Sequence, residues 1–212
     1  MVRSLYEASI LYLPDAMGLD YSYVLLIKRT AEPSLRTHLM EVGSLTQLAA
    51  PFGTCVTLDF PLDEALVDYL KERIRDHHGD AWPWRLLFQK RSGYPAYFPT
   101  PTTGRIGCIY LDIKPVPSSD YAFVSFDAAT SRMSQLFQRS ASIKNWFVHL
   151  SRFVNAKAAF LDTEEQGYEF FYRDGARITA TLTEEGELVQ AAARDQQAIR
   201  AIYHDYAKLF LL

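Results

Sequence analysis

The sequence is poor in the residues and spacings that usually announce a chemistry. Only two of its 212 residues are cysteine, Cys55 and Cys108. Two lone cysteines do not make a disulfide framework, and without a Cys-x-x-Cys spacing they do not make a zinc site. Each lies inside an apolar, strand-like run, which predicts a buried, reduced thiol in a reducing compartment. There is no Gly-x-Ser-x-Gly elbow, Walker loop, Gly-x-Gly-x-x-Gly or His-Glu-x-x-His. Gly93, Gly104 and Gly107 are too widely spaced for a phosphate cradle. No metal and no cofactor are expected, and no catalytic residue can be assigned from a motif.

An excess of charge is missing as well. The chain has 22 basic and 25 acidic residues, of which 11 and 12 lie at or before Ile106. A binder dominated by phosphate contacts needs a basic surplus, so nucleic acid is disfavoured as a partner. No apolar run approaches the roughly 20 residues of a membrane helix. Glu7 interrupts the apolar stretch near the N-terminus, and no small-residue cleavage site follows. The expectation is a cytoplasmic protein with no membrane partner.

What is present is the material of a core. Hydrophobic residues make up 49% and charged residues 22%, which excludes disorder. The length suits a single globular unit over 1–212, or two lobes, 1–114 and 119–212, sharing a core. The candidate boundary is Lys114-Pro115-Val116-Pro117-Ser118-Ser119. Aromatics are in excess, with 13 Tyr, 13 Phe and 3 Trp. Tyrosine combines a ring that favours burial with a hydroxyl that needs a partner, which suits interfaces.

Periodicity predicts strands over 4–13, 21–29, 53–59, 84–89, 105–113, 121–126, 157–161, 168–173 and 176–182. Helices are predicted over 33–40, 62–77, 129–139 and 142–155, with Ser142 as an N-cap, and a long terminal helix over 184–211. Asp174-Gly175 is a two-residue hairpin signal. The fold class is therefore α+β: mixed or antiparallel sheets packed with helices, ending in a long C-terminal helix.

Several groups of residues merit weighing. Asp76-His77-His78-Gly79-Asp80 concentrates metal-type ligands, but adjacent histidines diverge by about 100° on a helix, so a solvated helix end is the plainer reading. Asp195 falls on the apolar stripe of the terminal helix or at its edge. If buried, it needs a cationic or hydrogen-bonding partner, or a raised pKa. Between Ala128 and Leu161 there is no acid, while Arg132, Arg139, Lys144, Arg152 and Lys157 occur. From Asp162 to Glu187 eight acids face only Arg173 and Arg177. Either these regions neutralise one another, or the basic helices present a patch to an acidic partner.

A two-residue loop would pair Tyr172 with Arg177, Phe170 with Thr179 and Tyr168 with Thr181, on one face that is either buried or an interface. The 92–104 segment carries Tyr94, Tyr97 and Phe98 and is too long and aromatic for a plain connector. It reads equally as a lid, a partner contact or a packed plug.

The stretch from Ser142 to Leu182 resembles small bacterial immunity proteins, which neutralise toxins of neighbouring cells. The resemblance lies in Ser142-Ile143-Lys144-Asn145-Trp146-Phe147, then Ala159-Phe160-Leu161-Asp162, an acidic turn, an aromatic strand and Asp174-Gly175. It implies a non-enzymatic inhibitor that masks a toxin's active site, and it transfers no functional residue.

Two functions follow. One is a soluble binding protein whose partner is another protein, such as a toxin. Its contact residues would come from Tyr94, Tyr97, Phe98, Arg132, Arg139, Lys144, Arg152, Tyr168, Tyr172 and Arg177. The other is an enzyme with a site built from scattered groups (Asp195, His77 and His149) and lidded by the 92–104 loop.

Overall fold

The structure is a computed structural model that describes residues 19–48, 53–78 and 97–210, apart from the side chains of His77, His78 and Glu165. Its centre is β1 (Ser22–Lys28), a strand buried along almost its whole length. From β1 the chain passes through α1 (Glu32–Val42) to the outer strand β2 (Gly43–Gln47). It then steps back through β3 (Thr54–Pro61), α2 (Glu64–His78), β4 (Thr103–Pro115) and β5 (Tyr121–Asp127) to one side of β1. Helices α3 (Ser131–Arg139) and α4 (Ala141–Phe153) carry it over to β6 (Ala158–Asp162) on the other side. From there β7 (Tyr168–Arg173), β8 (Ala176–Leu182) and β9 (Leu188–Gln190) step outward, and α5 (Ala193–Ala207) returns across the sheet. The nine strands form one sheet in the order β2-β3-β4-β5-β1-β6-β7-β8-β9, with every neighbouring pair antiparallel. The α+β class is therefore as the sequence indicated.

Strand alternation divides the core in two. Tyr23, Leu25 and Ile27 of β1 point to one face, where they meet buried side chains of α1, α2, α3 and α4. Val24 and Leu26 point to the other, where Ile199, Ile202 and Tyr206 of α5 cover them. Helix spacing supplies the facing stripes: Leu66, Tyr69, Leu70 and Ile74 in α2, and Ile143, Phe147 and Leu150 in α4. At Gly104 the strand runs so close to α2 that a Cβ would lie 2.6 Å from Leu70 Cδ1. The segment read as a lobe boundary is the turn of the β4–β5 hairpin, closed by Val116 N–H to Tyr121 O at 2.9 Å.

Three expectations are corrected. The terminal helix starts at Ala193 rather than at 184. Residues 183–186 make a turn, with Gly186 at φ 80° directly beneath the Tyr203 ring, and β9 follows. The N-cap of α4 is Ser140, whose hydroxyl accepts from Ile143 N–H, and the same residue ends α3. The hairpin register also differs. Asp174 and Gly175 both take positive φ, as a two-residue turn requires, and Tyr172 pairs with Arg177. One extra residue on β8 opposite Phe171 then shifts Phe170 to Ala180 and Tyr168 to Leu182. Against β6, Phe171 is an extra residue on β7, between the Ala159–Tyr172 and Phe160–Phe170 pairs, so Phe171 and Tyr172 both join the four-helix core while Tyr168 and Phe170 pack under α5.

The predicted strands at 4–13 and 84–89, and Tyr94, lie outside the described residues. No helix among the described residues is long and apolar enough to cross a membrane.

Candidate partner-binding site

Helix α4 packs on β3, β6 and β7, and β8 lies one strand beyond it. The sheet therefore outruns its helical cover, and a groove of about 290 Å³ opens between α4 and β8. Lys144, Asn145 and Val148 form its helical wall, and Arg177, Thr179 and Thr181 its strand wall. The latter three alternate along β8 on one side, as a pleated strand dictates. Arg177 and Thr179 are exposed. Phe171 lines the base, with Lys144 Nζ 5.9 Å from its ring centroid.

The charge here is partly answered from within. Lys144 Nζ bonds Glu169 Oε2 at 3.1 Å, so the acid-rich segment neutralises part of the acid-free one. Arg139, Arg152 and Arg177 are exposed and form no ion pair among the described residues. Burial raises the pKa of the Tyr172 hydroxyl, and the Arg152 guanidinium opposes that rise, so Arg152 stands close to the foot of the hairpin. The basic helix and the aromatic hairpin, separate in sequence, are thus one neighbourhood, containing Lys144, Arg152, Tyr172 and Arg177.

The other predicted contact residues lie elsewhere. Arg132 pairs with Asp76 and ties α3 to α2. Arg139 ends α3. Tyr97 packs partly buried against the four-helix core, and Phe98 lies inside it at 5% exposure. Tyr172 is 1% exposed, so its ring serves the core. Tyr168 belongs to the opposite face, edge-on to Tyr203 at 5.0 Å.

Of the groups considered for catalysis, Asp195 and His149 sit on α5 and α4, on opposite faces of the sheet. Asp195 is buried, and its Oδ1 meets Arg173 Nη2 at 2.8 Å, so the carboxylate has the cationic partner that burial demands. This pair pins the first turn of α5 to the end of β7. His149 is exposed on α4. The side chain of His77 and most of the 92–104 loop lie outside the described residues. Among the described residues no group of three or more His, Cys, Asp or Glu side chains is placed to hold a metal ion.

Sequence reasoning missed a polar row beneath α5. Register places Asp127 and Asp162 on either side of Ser22, with Tyr110 and Tyr168 at the ends. Two strand spacings put the two aspartate backbones about 10 Å apart. Burial raises the pKa of Asp127, opposed by the hydroxyls of Ser22 and Ser125. Burial likewise raises that of Asp162, opposed by Glu164 N–H and the Tyr206 hydroxyl, which donates to Asp162 Oδ2 at 2.9 Å. Residues so far apart in sequence share a row only through strand order, which no local spacing reveals.

Together the fold and groove define an α+β protein with a broad antiparallel sheet and a cation-edged groove where its helical cover stops. No protein-family model matches the chain, and no curated protein or solved structure matches it significantly.

Proposed function

We propose that the protein is a non-enzymatic binding protein whose partner is another protein, and that it acts as an inhibitor of the immunity type, masking a toxin's active site. One observation carries this: the α4–β8 groove joins an apolar base to exposed Arg177 and Thr179 and to Lys144, on a helix and a strand. A rigid, amphipathic, cation-edged surface suits an acidic protein segment, because little ordering cost is incurred on binding. The test is co-expression, in turn, with each growth-inhibiting protein encoded by the flanking genes. Growth rescued by the wild type and lost with Arg177→Glu supports the proposal. Unchanged rescue with Arg177→Glu and Lys144→Glu together contradicts the placement of the site.

A second reading, acid–base catalysis, rests on the Asp127–Ser22–Asp162 row, whose carboxyls retain protons above the usual range. It predicts turnover of a small molecule that Asp127→Asn abolishes while toxin rescue is untouched.

A further inference from the structure

The two cysteines, 53 positions apart in sequence, are neighbours in the sheet. Cys55 on β3 pairs with Tyr110 on β4, so Cys108 is its diagonal neighbour, two residues along. In a regular antiparallel ladder such a diagonal pair lies near the limit of disulfide reach. The ladder is not regular here. Gly107 and Cys108 together oppose Thr57, one residue too many for β4, and Cys108 takes φ 60°, a conformation uncommon for a side-chain-bearing residue. The bulge displaces Cys108 from its regular diagonal position beside Cys55 on the neighbouring strand.

Their environments are opposite. Cys55 is 6% exposed, whereas Cys108 is exposed, contrary to the expectation of two buried thiols. Hydrogen bonding from Cys55 lowers the Cys108 pKa to about 6 despite the opposing effect of burial, and the Arg73 guanidinium lowers it further. The same interaction and burial push the Cys55 thiol up. An accessible thiolate beside a protected thiol is the division of labour of a peroxidatic and a resolving cysteine.

We propose that Cys108 and Cys55 form a reversible, hydroperoxide-driven disulfide that fastens β3 to β4 across the bulge. The Cys108 thiolate attacks one oxygen of hydrogen peroxide, forming an S–O bond as the O–O bond breaks and hydroxide leaves. Cys55 Sγ then attacks the Cys108 sulfenic sulfur. The S–S bond forms, the S–O bond breaks, and the Cys55 proton leaves with that oxygen as water. Two thiols are oxidised and one peroxide is reduced to two waters. A thiol reductant reverses the state by exchange.

The full-length protein is exposed to hydrogen peroxide, free thiols are then blocked with N-ethylmaleimide in denaturant at mildly acidic pH, and the intact mass and non-reducing peptide map are read. The expected result is loss of both maleimide adducts, a mass lower by two hydrogens than the reduced chain, a Cys55–Cys108 cross-linked peptide, an upward shift in melting temperature, and full reversal by dithiothreitol. In Cys55→Ser, Cys108 is trapped by dimedone as the sulfenic acid and no cross-link forms. In Cys108→Ser, Cys55 retains its maleimide adduct. Should Cys55→Ser fail to fold, Cys55→Ala serves in its place. Full alkylation of both thiols after peroxide, or oxidation of Cys108 to the sulfinic acid with Cys55 still free, overturns the proposal.

Discussion

Under α1–α4, the central sheet presents an aromatic block in which Tyr23 stacks on Phe147 at 4.1 Å and donates its hydroxyl to Phe137 O at 2.9 Å. Under α5, the same strand presents Ser22 between Asp127 and Asp162, and apolar packing begins only at Val24. The difference follows from cover. Four helices exclude water from one face, so its polar atoms must be paired internally. One helix lies across the other face, so carboxyls survive at its margin, half-buried and partly satisfied by Tyr206 and backbone N–H. The cover also ends before β8 on the four-helix side, and there the groove opens. The half-buried carboxyls and the groove both lie where the helical layers stop.

The largest expected effect is in the four-helix core. Phe147→Ala removes a fully buried ring that also meets Phe126 at 5.0 Å and Trp146 at 5.1 Å. It should cost about 3–5 kcal/mol by urea unfolding. Next comes the anchor of the other face. Arg173→Ala leaves the Asp195 carboxylate, 4% exposed, with only the longer contact to solvent-exposed Arg194 at 3.8 Å. A loss of about 3 kcal/mol is expected, with hydrogen-exchange protection falling first in α5. If α5 keeps its protection, the pair is not what fastens that helix.

A smaller effect is expected at Asp63, which sits where two helices of the first face begin. Its Oδ1 accepts from Leu66 N–H at 2.9 Å, and its Oδ2 accepts from Ser142 N–H at 2.9 Å and the Ser140 hydroxyl at 2.8 Å. Asp63→Ala should cost about 1 kcal/mol, in the range of a lost cap.

The faces should also differ in the sign of their pH dependence. Burial raises the Asp63 pKa, but hydrogen bonds from Ser142, Leu66 and Ser140 outweigh it and the net shift is downward. Its contribution is therefore present above the unfolded-state pKa and lost as pH falls through the folded-state value. Asp127 and Asp162 are shifted upward, so the native state holds their protons more tightly than the unfolded chain does. Their contribution is present below the unfolded-state pKa and lost as pH rises through the raised one. The Asp127→Asn, Asp162→Asn double variant should flatten that decline in a pH series of unfolding free energies, and Asp63→Asn should flatten the opposite limb. Identical profiles would mean that the two faces do not titrate differently.

Local signals in the sequence were readable. Asp174-Gly175 requires two positive φ values and forms the turn, and of the stripe Leu62, Leu66, Tyr69, Leu70 and Ile74 the last four are buried on α2, Leu62 being partly buried just before it. Non-local effects were not. The extra residue Phe171 on β7 divides Tyr168 from Tyr172, and nothing in the run of alternating residues marks it. The 184–192 segment carries helix-compatible residues, yet Gly186 turns beneath Tyr203, a contact 17 positions away in sequence. Asp195 was recognised as needing a partner if buried, but Arg173 becomes that partner only through the return of α5. The groove was half legible. Its basic helix and its hairpin were each singled out, and their meeting depends on β6 and β7 lying between β1 and β8.

The most direct test of the central claim is the affinity of the purified protein for the growth-inhibiting protein it neutralises in co-expression, measured by calorimetry for wild type and Arg177→Glu. Arg177 is exposed and forms no ion pair among the described residues, so the melting temperature should not move. Affinity at least about tenfold weaker, with unchanged melting, is the expected result. Equal affinity for the two proteins would contradict the placement of recognition in the α4–β8 groove.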